Sequence, residues 1–295
     1  MVYQKRIEKF DEQEKLYSRR ASKFPLFRLL VFVIGTLGFY FAFSISVGLA
    51  VMMAIVFLIV FAFITNLDAK TNANKEYYRS LKIINENELK SLQGNYKIFE
   101  DGERYIDPSH PYASDLDIFG KASIFQFINR TTSISGSDFL SEMLKKPVTS
   151  KEIYLRQAAI KELSLLVDWR QELQVCGQNF KVNSEERESI LNWLNSSSYF
   201  LNKKLLTIFT IIFPFVTTSL IVASFYGMPQ GYAFLAVFAQ ALILYFNNDK
   251  INENYNNISK KVELLKVYAA SIAVIESKAF NSEKLSGLKS FLFKK

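Results

Sequence analysis

The residue types able to do chemistry gather in one stretch, 112–147, with His110 just ahead of it. His110 is the only histidine of the 295-residue chain and sits in a His-Pro-Tyr turn, followed by Asp115 and Asp117. An imidazole and two carboxylates could hold a metal. The preferred reading makes the histidine a turn residue and the aspartates helix caps, because a short carboxylate accepts from the free amides of a first helical turn. Gly120-Lys121-Ala122-Ser123 carries the Gly-Lys pair of a phosphate loop. That loop also needs a glycine five positions earlier and Ser or Thr after the lysine, to cradle phosphate and hold magnesium. Asp115 and Ala122 occupy those places, which excludes it. Asn129-Arg130-Thr131 matches a glycosylation sequon, read as a chance match on a cytoplasmic segment. Cys176 is the only cysteine and reads as an ordinary buried thiol; one cysteine forms no internal disulfide, which fits a reducing compartment. The spacing of these residues yields no catalytic, cofactor-binding or metal-binding set, so neither an enzyme nor a cofactor is expected in this chain.

The elements that must position this stretch follow from composition. Residues 29–67 and 205–248 contain no charged side chain, while the rest is densely charged. This is the profile of a polytopic membrane protein with large water-facing parts. Each uncharged run is too long for one span of ~20 residues, so each reads as a helical hairpin. The first divides at the Ser44–Gly48 region into helices near 26–44 and 47–67; the second turns at Gly227-Met228-Pro229-Gln230-Gly231, with Pro214 kinking its first helix. Arg28, near a span edge, can snorkel to the headgroups. Lys and Arg flank both hairpins and the turns are neutral, which places both termini and the middle block on the cytoplasmic side of a plasma (inner) membrane. The spans lack Asp, Glu, Lys and His, which speaks against a pump or transporter. The net charge of +8 is compatible with nucleic acid, but the positive-inside bias accounts for it.

The organisation predicted is an N-terminal surface helix at 1–25, a membrane hairpin at 26–67, a cytoplasmic helical block at 68–203, a second membrane hairpin at 204–246 and a long cytoplasmic helix at 247–295. Within the block, the second span continues as a helix to about residue 92, with Leu81, Ile84 and Leu92 as a sparse apolar stripe. Asp101-Gly102 between alternating runs predicts a small β-hairpin at 96–106. Ile124, Phe125, Phe127 and Ile128 predict a buried helix, the 131–136 segment a break, and Phe139, Leu140, Met143 and Leu144 the face of a second helix that Pro147 ends. Thr149 with Glu152, and Asn183 with Glu186, read as capping boxes. The helix after Thr149 carries Ile153, Ile160, Leu163 and Val167 on one side, and Asn195-Ser196-Ser197-Ser198 is a polar linker. If the last span and the C-terminal segment form one helix, from about 232 to 280, it reaches ~70 Å. The fold class is therefore mainly α: four transmembrane helices in two hairpins around a helical domain with one small β-hairpin.

Residues 115–131, DLDIFGKASIFQFINRT, resemble the start of the helical core, or lever, domain of MutS-related proteins. The likeness rests on Asp115, Asp117, Gly120 and Ser123, then Asn129-Arg130-Thr131-x-Ser133-x-x-Gly136, then Pro147 and the pair Arg156-Gln157. Ala122 stands where that family has glycine, and Ser133 replaces its second threonine. His110-Pro111-Tyr112, the two hairpins, and Ile275-Glu276-Ser277 with Phe280 are similar to a membrane-anchored branch of that family. The resemblance implies a membrane-tethered helical lever. It further implies an ATPase domain beyond the long helix, which no residue of this chain matches, or an ATPase or second copy acting through the helical domain. DNA binding of the mismatch-repair type is the alternative it carries.

Overall fold

The structure, a computed structural model, describes residues 2–178 and 204–293. It is mainly helical, with no strand among the described residues. Two compact units divide the chain: residues 1–179 with 273–295, and residues 180–272. The predicted Asn183–Glu186 capping box and the linker at 195–198 lie outside the described residues.

The first unit is built on a long antiparallel pair. Helix α1 (Val2–Ala21) is followed after two residues by α2 (Phe24–Ile45), and α3 (Val47–Leu92) returns alongside both. Pro25 lies in the first turn of α2, where its missing N–H has no intrahelical partner to lose. The reversal is one residue long. Ser46 is extended, donates its N–H to the Ala42 carbonyl, and its hydroxyl accepts from Leu49 N–H to start α3. Val47 to Leu92 is a single 46-residue helix, ~69 Å at 1.5 Å per residue.

The two halves of the pair are held differently. In the apolar half, Gly35 and Gly38 of α2 face Phe57 and Met53 of α3, and a Cβ at Gly35 would lie 2.2 Å from the Phe57 ring. Only glycine permits this approach. At the boundary, Arg28 pairs with Asp68 at 3.1 Å, and Asn72 donates to the same carboxylate. Arg28 was expected to reach for headgroups; it finds a partner that lies one residue past the uncharged run. In the polar half, Lys82 bridges Asp11 and Glu14, Tyr17 stacks on Tyr78, and Phe10, Leu81, Ile84 and Val175 form the core. Leu92, predicted to extend that stripe, is 72% exposed.

Four short helices follow: α4 (Ile124–Ile128), α5 (Ile134–Lys145), α6 (Ser150–Leu165) and α7 (Val167–Gln178); α7 packs on the polar half of α3, α4 contacts α5, and α6 contacts α7. In the second unit, α8 (Lys204–Ser224) runs through Pro214, and α9 starts at Gly231 and continues to Glu276. Gly227, with φ 99°, makes the turn between them, and Gln240 donates to the buried Thr217 hydroxyl at 3.0 Å. The end of α9, from Ala273, belongs to the first unit, as does α10 (Glu283–Leu292).

Three helical stretches, Val2–Ile45, Val47–Leu92 and Gly231–Asn248, are long and apolar enough to cross a membrane. The described apolar part of α8, Phe209–Ser224, is shorter than that measure.

The predicted β-hairpin at 96–106 is absent. A type I′ turn needs positive φ at both central residues. Gly102 alone is left-handed (φ 70°), and Glu103–Tyr105 form a 3₁₀ turn. The carbonyls that would pair across a hairpin serve a later segment instead. Lys97 and Phe99 accept from the Gln126 amide, and Asp101 accepts from Gly120 N–H. Tertiary partners outcompeted the local turn signal.

Candidate functional site

The 112–147 stretch is a join, assembled from its caps upward. The first helix starts at Ile124, not at the aspartates. Ser123 caps it, its hydroxyl accepting from Gln126 N–H. Asp115 and Asp117 lie exposed in turns, Asp117 with φ 46°, so neither is a helix cap. The second helix is capped by Ser133, which accepts from Gly136 N–H at 3.1 Å. Thr149 caps α6 through Glu152 N–H at 3.4 Å. The reciprocal half of that capping box does not form, because the Glu152 carboxylate is taken by Arg156 and Lys284.

Phe125 is the buried centre, fully enclosed between the rings of Tyr105 and Phe119 at 5.5 Å each. Gly102 is required here twice over: its φ is 70°, and a Cβ would lie 2.7 Å from the Phe125 ring. The predicted neighbours Ile124, Phe127 and Ile128 stay exposed, since a five-residue helix buries only one side. Gln126 is buried and fully used; it accepts from Ala122 N–H and donates to the Lys97 and Phe99 carbonyls. The amides that a phosphate loop would aim at a ligand are thus spent internally: Gly120 N–H on Asp101, Ala122 N–H on Gln126, Ser123 N–H on Gly120.

The Asn-Arg-Thr segment is a hydrogen-bonded corner. The Asn129 side-chain oxygen Oδ1 accepts from Thr131 N–H and hydroxyl, and the Thr131 hydroxyl meets Ser137 at 2.6 Å. Arg130 makes a fork to Glu88 of α3, reaches Ser91, and lies 3.6 Å over the Phe99 ring. A planar guanidinium suits this combination of bidentate pairing and stacking. On α5 the buried residues are Ser137 and Ser141 rather than the predicted apolar face, and Phe139 is 64% exposed. Small hydroxyl residues let the helix approach the corner closely. Thr132 meets the other side, against Gly177 of α7, where a Cβ would lie 1.9 Å from its hydroxyl.

His110 points its Nε2 at the Lys145 carbonyl, 3.2 Å away, and Tyr112 donates its hydroxyl to the same carbonyl at the end of α5. Tyr105 donates to Asp138, and burial together with that carboxylate pushes its pKa up to about 12. No group of three His, Cys, Asp or Glu side chains able to hold a metal occurs among the described residues. Cys176 is half-buried, and burial raises its thiol pKa. Pro147 follows α5 at an exposed position, and Gln157 is exposed on α6 beside the ion-paired Arg156.

Two further attachments are absent from the sequence reading. Asn85 and Gln171, both buried, exchange amide hydrogen bonds at 2.9 and 3.0 Å, and Gln171 also accepts two bonds from Arg6. This ties α1, α3 and α7 across 165 positions. At the C-terminal side, Trp169 donates to the Val274 carbonyl and meets Phe280 edge-on. Glu162 accepts from the N–H groups of Asn281 and Ser282, and these bonds lower its pKa. The one sequence signal for the first was Asn85 itself, a polar residue four positions after Leu81 in an apolar stripe.

No family model, curated protein or solved structure matches the chain.

Proposed function

We propose that the chain is a membrane-tethered helical lever and interaction module, resembling the non-catalytic part of MutS-like ATPases. One observation carries this reading: α3 is unbroken from its apolar first half to the polar half on which the join docks through Arg130 and Glu88. A displacement of the docked helices is therefore a displacement of the membrane hairpin. The apolar residues Ile153, Tyr154, Ile160 and Leu165 of α6 are exposed and offer a face to an ATPase domain or a second copy. In this reading α8 and α9 form a second membrane hairpin. Both termini and the helical domain then face the cytoplasm at the inner membrane, and the chain itself performs no catalysis. Mismatch-repair-type DNA binding is the competing reading, favoured by the net charge of +8.

The test is made on the full chain in lipid nanodiscs with Cys176→Ser. Nitroxides at positions 49 and 90 should show a narrow distance distribution near ~62 Å, as one rigid helix requires. Duplex DNA should not bind at ~50 mM salt, where phosphate contacts are strongest. A broad distribution would refute the lever, and salt-sensitive DNA binding would replace it by the competing reading.

A further inference from the structure

We propose that the membrane-proximal end of the α1–α3 pair is a docking site for anionic phospholipid headgroups. The inference rests on the reading of α2 and α3 as membrane spans. Their uncharged run begins after Arg28 and ends before Asp68, and these two residues are ion-paired. The pair marks the edge of the hydrocarbon. The antiparallel register then sets Lys23, Arg20 and Arg19 on one strand of the pair beside Lys70 and Lys75 on the other. At 1.5 Å per residue along the helices, Lys70 lies ~3 Å beyond the ion pair, Lys23 ~8 Å and Arg20 ~12 Å. The headgroup layer is about 5–8 Å deep on each side, and the Debye length in physiological salt is about 8 Å. Lys70 and Lys23 fall within the headgroup layer, and Lys75, Arg20 and Arg19, at about 11–14 Å, within about one further Debye length of it.

Of the nearby carboxylates, only Glu12 has no ion-pair partner among the described residues, one negative charge against five cations. Asp11 is held by Lys15 and Lys82, Glu14 by Lys82, Glu76 by Arg79 and Asp68 by Arg28. Arg19, Lys23, Lys70 and Lys75 have no ion-pair partner among the described residues. Arg20 lies over the Tyr17 ring, itself stacked on Tyr78, which fixes its direction without cancelling its charge. Glu12, Lys15, Leu16, Arg19, Arg20 and Lys23 line an open groove of about 390 Å³ on α1, four cations to one carboxylate. Below the cations, Leu26 and Phe27 are exposed and apolar, as acyl chains require. Nucleic acid phosphate shares the headgroup chemistry, but only a lipid satisfies the cations and this apolar surface together.

The test uses the full chain reconstituted in phosphatidylcholine vesicles, with spin-labelled phosphatidylglycerol or phosphatidylcholine as probe. The fraction of motionally restricted lipid should show a preference of about fivefold or more for phosphatidylglycerol, the equivalent of one engaged surface cation. It should fall below about twofold in Arg19→Gln/Arg20→Gln/Lys23→Gln and at ~1 M salt, where the Debye length shrinks to about 3 Å. Lys90→Gln/Lys97→Gln, remote from the headgroup plane, should leave it unchanged. Equal preference in wild type and triple variant overturns the proposal, as does displacement of phosphatidylglycerol by duplex DNA at low salt. Carbonate extraction separates the two readings. A chain that is washed off refutes the membrane spans, whereas a chain that stays but shows no preference refutes only the lipid site.

Discussion

Removing the buried amide of Asn85 should expose how strongly α1, α3 and α7 depend on one another. Asn85 is 0% exposed and Gln171 4%. In Asn85→Leu the Gln171 amide N–H loses its acceptor in a buried site, a cost of about 1–3 kcal/mol. In Gln171→Leu the Asn85 oxygen loses its donor at a similar cost, while Asn85 N–H keeps the Leu81 carbonyl and Arg6 keeps Asp168. The double variant removes both partners and leaves neither amide stranded. Its loss should therefore fall short of the sum of the single losses by the two stranding costs together, about 2–6 kcal/mol. Urea unfolding of the full chain in detergent measures this through Trp169 fluorescence in a Trp193→Phe background. Trp169 sits on α7, two residues from Gln171, and reports the docking directly. Losses that add within about 0.5 kcal/mol would show that the two amides act independently and that the network is not the tie described.

Two other outcomes follow from the join and from the C-terminal attachment. Gly102→Ala should destabilise the first unit by about 2–5 kcal/mol in the same unfolding assay, from the left-handed backbone and the Phe125 contact together; a change below 1 kcal/mol, roughly the least that positive φ alone costs, would contradict both. For Glu162 and Glu152 the folded pKa lies below the ordinary 4.5, through the bonds to Asn281 and Ser282 and to Lys284. A depressed carboxylate stabilises fully above its unfolded value and loses that contribution as pH falls through the folded one. Acidification below 4.5 should thus release α10 from α6 and red-shift Trp169 as Phe280 leaves. An identical acid transition in Glu152→Gln/Glu162→Gln would remove these carboxylates as its cause.

The membrane-length helices and the continuation of the second one to residue 92 were legible because the cue is compositional. Uncharged and charged tracts differ sharply, and Ser46 lies in the small polar cluster that separates two span lengths. The resemblance of 115–157 to a family rests on sequence alone. Burial within that stretch was less legible, for a physical reason. Helices of five and twelve residues pack by close approach of small residues, so Ser137 and Ser141 mark the contacts while Phe139 faces outward. The Asp101-Gly102 signal failed because hairpin propensity is local, whereas Gly120 and Gln126 supplied partners from well along the chain, Gln126 from 27 and 29 residues away. The amide tie between Asn85 and Gln171 links positions 86 apart and leaves no periodic trace.

The glycine notches of α2 restrict how motion can travel. Phe57 and Met53 of α3 seat against Gly35 and Gly38 as teeth in a ratchet. A slip of one residue along the axis, ~1.5 Å, would drive the Phe57 ring into the neighbouring side chains of α2. The glycine notches therefore oppose a piston stroke between α2 and α3, and a tilt of the pair as one body keeps both the notches and the Arg28–Asp68 contact intact.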